Sequence, residues 1–126
     1  MKPVDGVKLP DDWYSLTITK GANRDLPGLY EFKIDGVGSY IGKYTNFSER
    51  CKLYRRNVCN LLNKKPYRKG KPDRFRRIHR ELAEAVRAGK LIELIILENQ
   101  PPGDRLNRRE GELIMERGTL NGPLAG

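Results

Sequence analysis

The sequence predicts an α/β (α+β) domain: a small, mostly antiparallel sheet flanked by three helices. Three observations predict it. Two triplets, Gly28-Leu29-Tyr30 and Tyr40-Ile41-Gly42, lie either side of an Asp35-Gly36 turn signal and read as a hairpin. Leu91 to Leu97 is an almost unbroken apolar run, as expected of a buried, central strand. Three further segments repeat apolar residues at helical spacing. A chain of 126 residues is enough for one domain with a modest core.

Residues 1–12, with Pro3, Pro10 and Asp11-Asp12, read as a loose start. Trp13 to Lys20 alternates Tyr14, Leu16 and Ile18 with Ser15, Thr17 and Thr19, which predicts an extra strand within an N-terminal extension of residues 1–27. Gly21 to Pro27 is a turn, and the tyrosine hairpin follows over 28–43. If its loop holds three residues, Asp35 to Val37, Tyr30 faces Gly42 and Phe32 faces Tyr40, so both phenols share one sheet face. A two-residue loop would put them on opposite faces.

A helix over 47–62 starts at Asn46, with Glu49 three residues on, and carries Phe47, Cys51, Tyr54, Val58 and Leu61 as its apolar stripe. A basic loop insertion over 63–73 leads to a second helix over 73–88, with Phe75, Ile78, Leu82 and Ala85 inward and Gly89 ending it. The run 91–97 is the second central strand beside the hairpin. Pro101-Pro102-Gly103 breaks it, and Asp104 caps a third helix over 105–117. The tail from Gly118 to Gly126 is irregular. There are no repeats and no second domain.

The net charge of +9 favours an anionic partner. Residues 50–80 hold thirteen lysines and arginines against the single acid Asp73, a net +12. A stretch so one-signed cannot pair with itself. Arg55, Arg56, Lys64, Lys65, Arg68, Lys69, Lys71, Arg74, Arg76 and Arg77 are therefore candidates for binding a nucleic-acid backbone, with Tyr54 and Tyr67 interleaved. His79, the one histidine, sits among Arg76, Arg77 and Arg80, which should suppress its charging; a structural or phosphate-touching role suits it better than catalysis. No apolar run approaches the roughly 20 residues needed to cross a membrane, and the start lacks a signal core. Cys51 and Cys59 are eight apart on one helix, about 12 Å, too far for a disulfide. They read as reduced packing residues of a cytoplasmic protein.

Two features break the local pattern. With Leu106 at zero on a wheel of about 100° per residue, Leu113 falls at about −20°, Glu110 at about +40° and Ile114 at about +80°. Glu110 therefore lies in the inward stripe, where a carboxylate needs an arginine partner or a divalent metal ion. Arg50 and Tyr54, four apart, share one helix face from which both can reach a phosphate.

Taken together, these residues resemble the GIY-YIG endonucleases. The two triplets, Arg50 with Tyr54, Glu110 followed by Leu113 and Ile114, and Asn121 in Leu-Asn-Gly match that family's motifs in order, over about residues 28–122. Lys43 matches the lysine that follows the second triplet in several members. The first triplet carries Leu for Ile, and segment 63–90 is longer than in the minimal module.

The resemblance implies hydrolysis of a DNA phosphodiester with one Mg²⁺ (or Mn²⁺) held by Glu110. It further implies that Arg50 grips a non-bridging oxygen and that Tyr30 is general base, its phenol favoured as phenolate by Lys43, Arg50 and the metal. Tyr40 and Tyr54 would orient the water or phosphate. Asn121 reads equally as a brace and as a turn residue. The extra strand and basic loop point to a restriction-type or mobile-element enzyme; cutting both strands would need a homodimer or two binding events. The alternative is a catalytically inactive nucleic-acid-binding protein of the same fold.

Overall fold

The computed structural model describes residues 8–122. In chain order the elements are β1 (Ser15–Ile18), β2 (Gly28–Ile34), β3 (Gly38–Tyr44), α1 (Phe47–Leu62), α2 (Arg77–Ala88), β4 (Ile92–Asn99) and α3 (Asp104–Arg117). The fold is α+β: a four-stranded mixed sheet, ordered β1-β4-β2-β3, flanked by three helices. β2 pairs antiparallel with both β3 and β4, while β1 runs parallel to β4. Residues 1–7, expected as part of a loose start, and the end of the tail at 123–126 lie outside the described residues.

The hairpin loop has three residues, with Gly36 at φ 73° and the Val37 N–H donating to the Ile34 carbonyl at 3.0 Å. Tyr30 therefore pairs with Gly42 and Phe32 with Tyr40. Because side chains alternate, Tyr30, Phe32, Ile34, Tyr40 and Tyr44 point to one face and Leu29, Glu31, Ile41 and Lys43 to the other. The first face carries the main core: Phe32, Ile34, Leu94 and Ile96 pack with Tyr54 and Val58 of α1 and Ile78 and Leu82 of α2. The second carries a smaller one, in which Leu29 and Ile41 meet Leu106 and Leu113 of α3. Each fully buried Phe, Leu or Ile contributes about 1.5–3 kcal/mol.

Three expectations need correction. Only one strand of the hairpin is central: β2 and β4 form the interior and β3 is an edge. That edge is covered by the segment after α3, since Leu120 N donates to Ser39 O at 2.8 Å and the Asn121 side-chain amide bonds both N and O of Ile41. The second helix starts at Arg77, not at 73, because Pro72 O accepts the Tyr67 N–H and closes the preceding loop. Helix entry comes only where the His79 ring accepts the Arg76 N–H at 3.1 Å. In α3 the N-cap is Gly103, at φ 103°, and Asp104 is the first helical residue.

α1 keeps its predicted bounds, because the Asn46 side chain accepts the Glu49 N–H at 3.1 Å. Both cysteines are unpaired. Among the described residues no helix is long and apolar enough to cross a membrane.

Candidate active site

The two triplet glycines show how closely the site is packed. A methyl group at Gly42 would overlap the ring and hydroxyl of Tyr30, and one at Gly28 would overlap the Glu98 carbonyl. The Tyr30 hydroxyl therefore lies directly over the edge strand at Gly42. Gly42→Ala is expected to cost about 1–3 kcal/mol by displacing a ring that has nowhere to go. Denaturant unfolding checks this, and an unchanged midpoint would contradict the packing described.

Tyr30 and Tyr54 share a hydrogen bond of 2.5 Å, and their exposures are only 2% and 5%. The Tyr40 ring stands 6.4 Å from that of Tyr30 and is half-buried, close enough to act electrostatically on Tyr54. Arg76, at the α2 N-cap, interacts electrostatically with Tyr40, and the charge of Arg50 acts on Tyr30. The arrangement is thus a buried cluster of phenols on which the charges of Arg50 and Arg76 act. Arg50 makes no side-chain hydrogen bond or ion pair among the described residues, so its donors are available.

Burial, reinforced by Tyr40, pushes the Tyr30 phenol well above its ordinary value; the Tyr54 bond and the charges of Arg50 and Arg76 only partly oppose this. Tyr54 is raised as well, again chiefly by burial. The expected lowering of Tyr30 is therefore outweighed by desolvation. Lys43 does not assist, because it lies on the opposite face of the sheet, where its Nζ donates to Asn107 Oδ1 of α3 at 2.5 Å.

Glu110 also belongs to that second face. Asn107 of α3 reaches Lys43 of β3, while Arg109 bonds Glu98 of β4 at 2.9 Å. On the helix wheel Glu110 lies between Leu106 and Asn107, on the flank turned to β3. It is half-buried and forms no hydrogen bond or ion pair among the described residues, so the arginine partner allowed for in the sequence is not there. Glu110 and the Tyr30 hydroxyl thus lie on opposite faces of the sheet, and the structure does not bring the predicted carboxylate together with the phenols. No hydrogen bond joins the two groups. The Asn121 amide clamps Ile41, at 2.9 and 2.8 Å, which makes it a brace as well as a turn residue.

Among the described residues no three His, Cys, Asp or Glu side chains cluster as a metal cage. A lone unpartnered carboxylate fits Mg²⁺ or Mn²⁺, which keep most of their waters and take further oxygens from a phosphate.

His79 lies inside the fold, at 6% exposure. Its Nδ1 accepts the Arg76 N–H, so Nε2 carries the proton and faces the Asn57 amide at 3.3 Å. Asn57 Oδ1 is otherwise a buried orphan, and turning that amide to present Oδ1 satisfies both groups. Burial, then Arg76, Arg56 and Arg80, lower the His79 pKa to about 4. An unfolded histidine titrates near 6.5, so the unfolded chain binds the extra proton between those values. The stabilisation is complete above about pH 6.5 and is lost as pH falls toward 4, at most about 3 kcal/mol. His79→Asn should remove that part of the pH dependence in urea unfolding at pH 7 and 4.5. Parallel losses in both proteins would contradict the assignment.

Two contributors were not read from the sequence as part of the site. Arg76 was taken for a backbone binder, and only the fold brings it to Tyr40. Glu31 is buried on the α3 side at 3% side-chain exposure and bonds Arg117 Nη1 at 3.1 Å, a partner 86 residues away. Its sequence signal is an acid next to Tyr30 in a strand whose second face α3 covers. A cavity of about 1040 Å³ opens at the hairpin turn, near Trp13, Val37 and Ile92, and shares none of the phenols. No family model, curated protein or solved structure matches this chain, so its reading rests on the residues themselves.

Proposed function

We propose that this chain is a metal-dependent DNA endonuclease of the GIY-YIG type, restriction-like or mobile-element-associated. The observation that carries this reading is Glu110, a half-buried carboxylate without a protein partner among the described residues, on the opposite sheet face from a phenol cluster on which the charges of Arg50 and Arg76 act. The net +12 of residues 50–80 adds an anionic polymer as partner.

Arg50 and Arg76 hold non-bridging oxygens of the scissile phosphate and stabilise the charge that grows there. Tyr40 is the proton acceptor for the attacking water. Unlike Tyr30 and Tyr54 it is partly open to solvent, and the charge of Arg76 acts beside it. As the water oxygen bonds to phosphorus, its proton passes to Tyr40; the P–O3′ bond breaks and the 3′ oxygen takes a proton from solvent. Tyr30 and Tyr54 hold Tyr40 in place. Glu110 would hold Mg²⁺ or Mn²⁺, which when bound supplies Lewis-acid stabilisation of the phosphate and leaving oxygen. One such site cuts one strand, so double-strand cleavage takes a second copy of the chain. The unpaired cysteines suit the cytoplasm.

Supercoiled plasmid incubated with Mg²⁺, with and without chelator, tests the reading. Nicking only with metal is expected. Retarded but uncut plasmid would make the chain a binder without catalysis. Arg50→Ala should lower the nicking rate about tenfold or more while duplex affinity falls much less. Equal losses would reduce Arg50 to an anchor.

A further inference from the structure

The segment between α1 and α2 is not an irregular loop. Tyr67 N donates to Pro72 O at 3.1 Å and Lys71 N to Arg68 O at 3.1 Å, and Arg68 and Lys71 form a single antiparallel bridged pair. The result is a tight hairpin turn, a ribbon one bridged pair long, with Lys69-Gly70 at its tip. The base of the ribbon is anchored: the Tyr67 ring packs 5.4 Å from Phe75 and stacks 6.3 Å from His79. His79 in turn lies 5.6 Å from the Tyr54 ring, whose hydroxyl bonds Tyr30. The ribbon is therefore rooted on the same wall as the phenols.

The ribbon's cations are turned outward. Arg68, Lys69 and Lys71 are exposed, and none forms an ion pair among the described residues. The Arg68 guanidinium lies over the Tyr67 ring, 5.3 Å from its centroid, which holds that charge at the base of the tip. Three like charges on a four-residue tip repel one another, and an anionic groove removes that cost.

We infer that this ribbon enters the major groove of duplex DNA next to the scissile phosphate and sets where the strand is cut. Dimensions select the groove: a major groove about 12 Å wide admits a two-stranded ribbon, whereas a minor groove about 6 Å wide does not. Chemistry agrees, because Arg68 and the two lysines are donors and guanine presents paired acceptors there. The inference rests on the duplex-DNA partner proposed above but not on catalysis, so a binding experiment tests it separately.

The test uses Glu110→Gln protein, which should not cut, and the same protein carrying R68A, K69A and K71A. All three positions are exposed, so the fold should be unaffected, as circular dichroism can check. Affinity is measured by fluorescence anisotropy for a plain duplex, for one whose major groove is filled by glucosylated 5-hydroxymethylcytosine, and for one carrying netropsin in the minor groove. Glucosylation should weaken the parent about tenfold or more and the triple variant much less, with netropsin affecting neither strongly. The salt slope should fall by about 2–3 on removal of the three cations. If glucosylation weakens both proteins alike, or neither, or if netropsin is the effective competitor, the groove assignment is overturned. If neither protein binds duplex at all, the assignment falls together with the DNA partner. A protein that binds as expected but never nicks plasmid keeps the ribbon's role and loses the nuclease.

Discussion

Glu110→Gln is expected to lower the single-turnover nicking rate about a thousandfold or more while leaving duplex affinity within about twofold. The change keeps the shape of the side chain and removes one negative charge. The wild-type carboxylate has no protein partner among the described residues, so the substitution breaks no bond within the fold. What disappears is the hard, charged oxygen that a divalent ion requires. Chelator should act on the wild type as the substitution does, with no further loss when the two are combined. Nicking that survives in Glu110→Gln would move the metal ligand elsewhere and remove the main support for the proposed mechanism.

The second large effect separates the two hairpin phenols. Tyr40→Phe should lower the nicking rate by about 10²–10⁴, the usual contribution of a positioned general base. Tyr30→Phe should cost far less in rate and about 1–2 kcal/mol in stability, because its hydroxyl serves chiefly as the buried partner of Tyr54. Burial opposes phenolate formation at Tyr30, whereas Tyr40 is reached by both solvent and the charge of Arg76. Measuring both rates together with both unfolding free energies distinguishes the roles. The opposite ranking would return the base to Tyr30, as the family resemblance implies.

The parts of this architecture legible in the sequence were those fixed by local chemistry. The three-residue turn at Asp35 to Val37 determined which side chains share a face, and pairing followed it. Asn46 ahead of the Phe47 stripe marked the start of α1, and the continuity of Leu91 to Leu97 marked an interior strand. The failures involve partners distant in the chain or misread by parity. Lys43 follows Tyr40 by three, an odd step, so it had to leave the phenol face. The start of α2 depended on a histidine ring acting as a cap, which helical periodicity does not reveal. Arg76 and Glu31 acquired their settings from elements far along the chain, Tyr40 for one and Arg117 for the other. Glu110 was readable because a carboxylate interrupting a helical apolar stripe is itself a local pattern.

The seal over β3 is made by Leu120 and Asn121, which follow every strand and helix among the described residues. During synthesis they are therefore the last of these parts to leave the ribosome. Until then Ser39 and Ile41 offer an open row of backbone donors and acceptors on which a neighbouring nascent chain can build a strand. The same amide that steadies the Tyr-Ile-Gly strand in the finished protein thus ends a window of misassembly, and the length of that window is set by the time needed to translate the final helix and the turn beyond it.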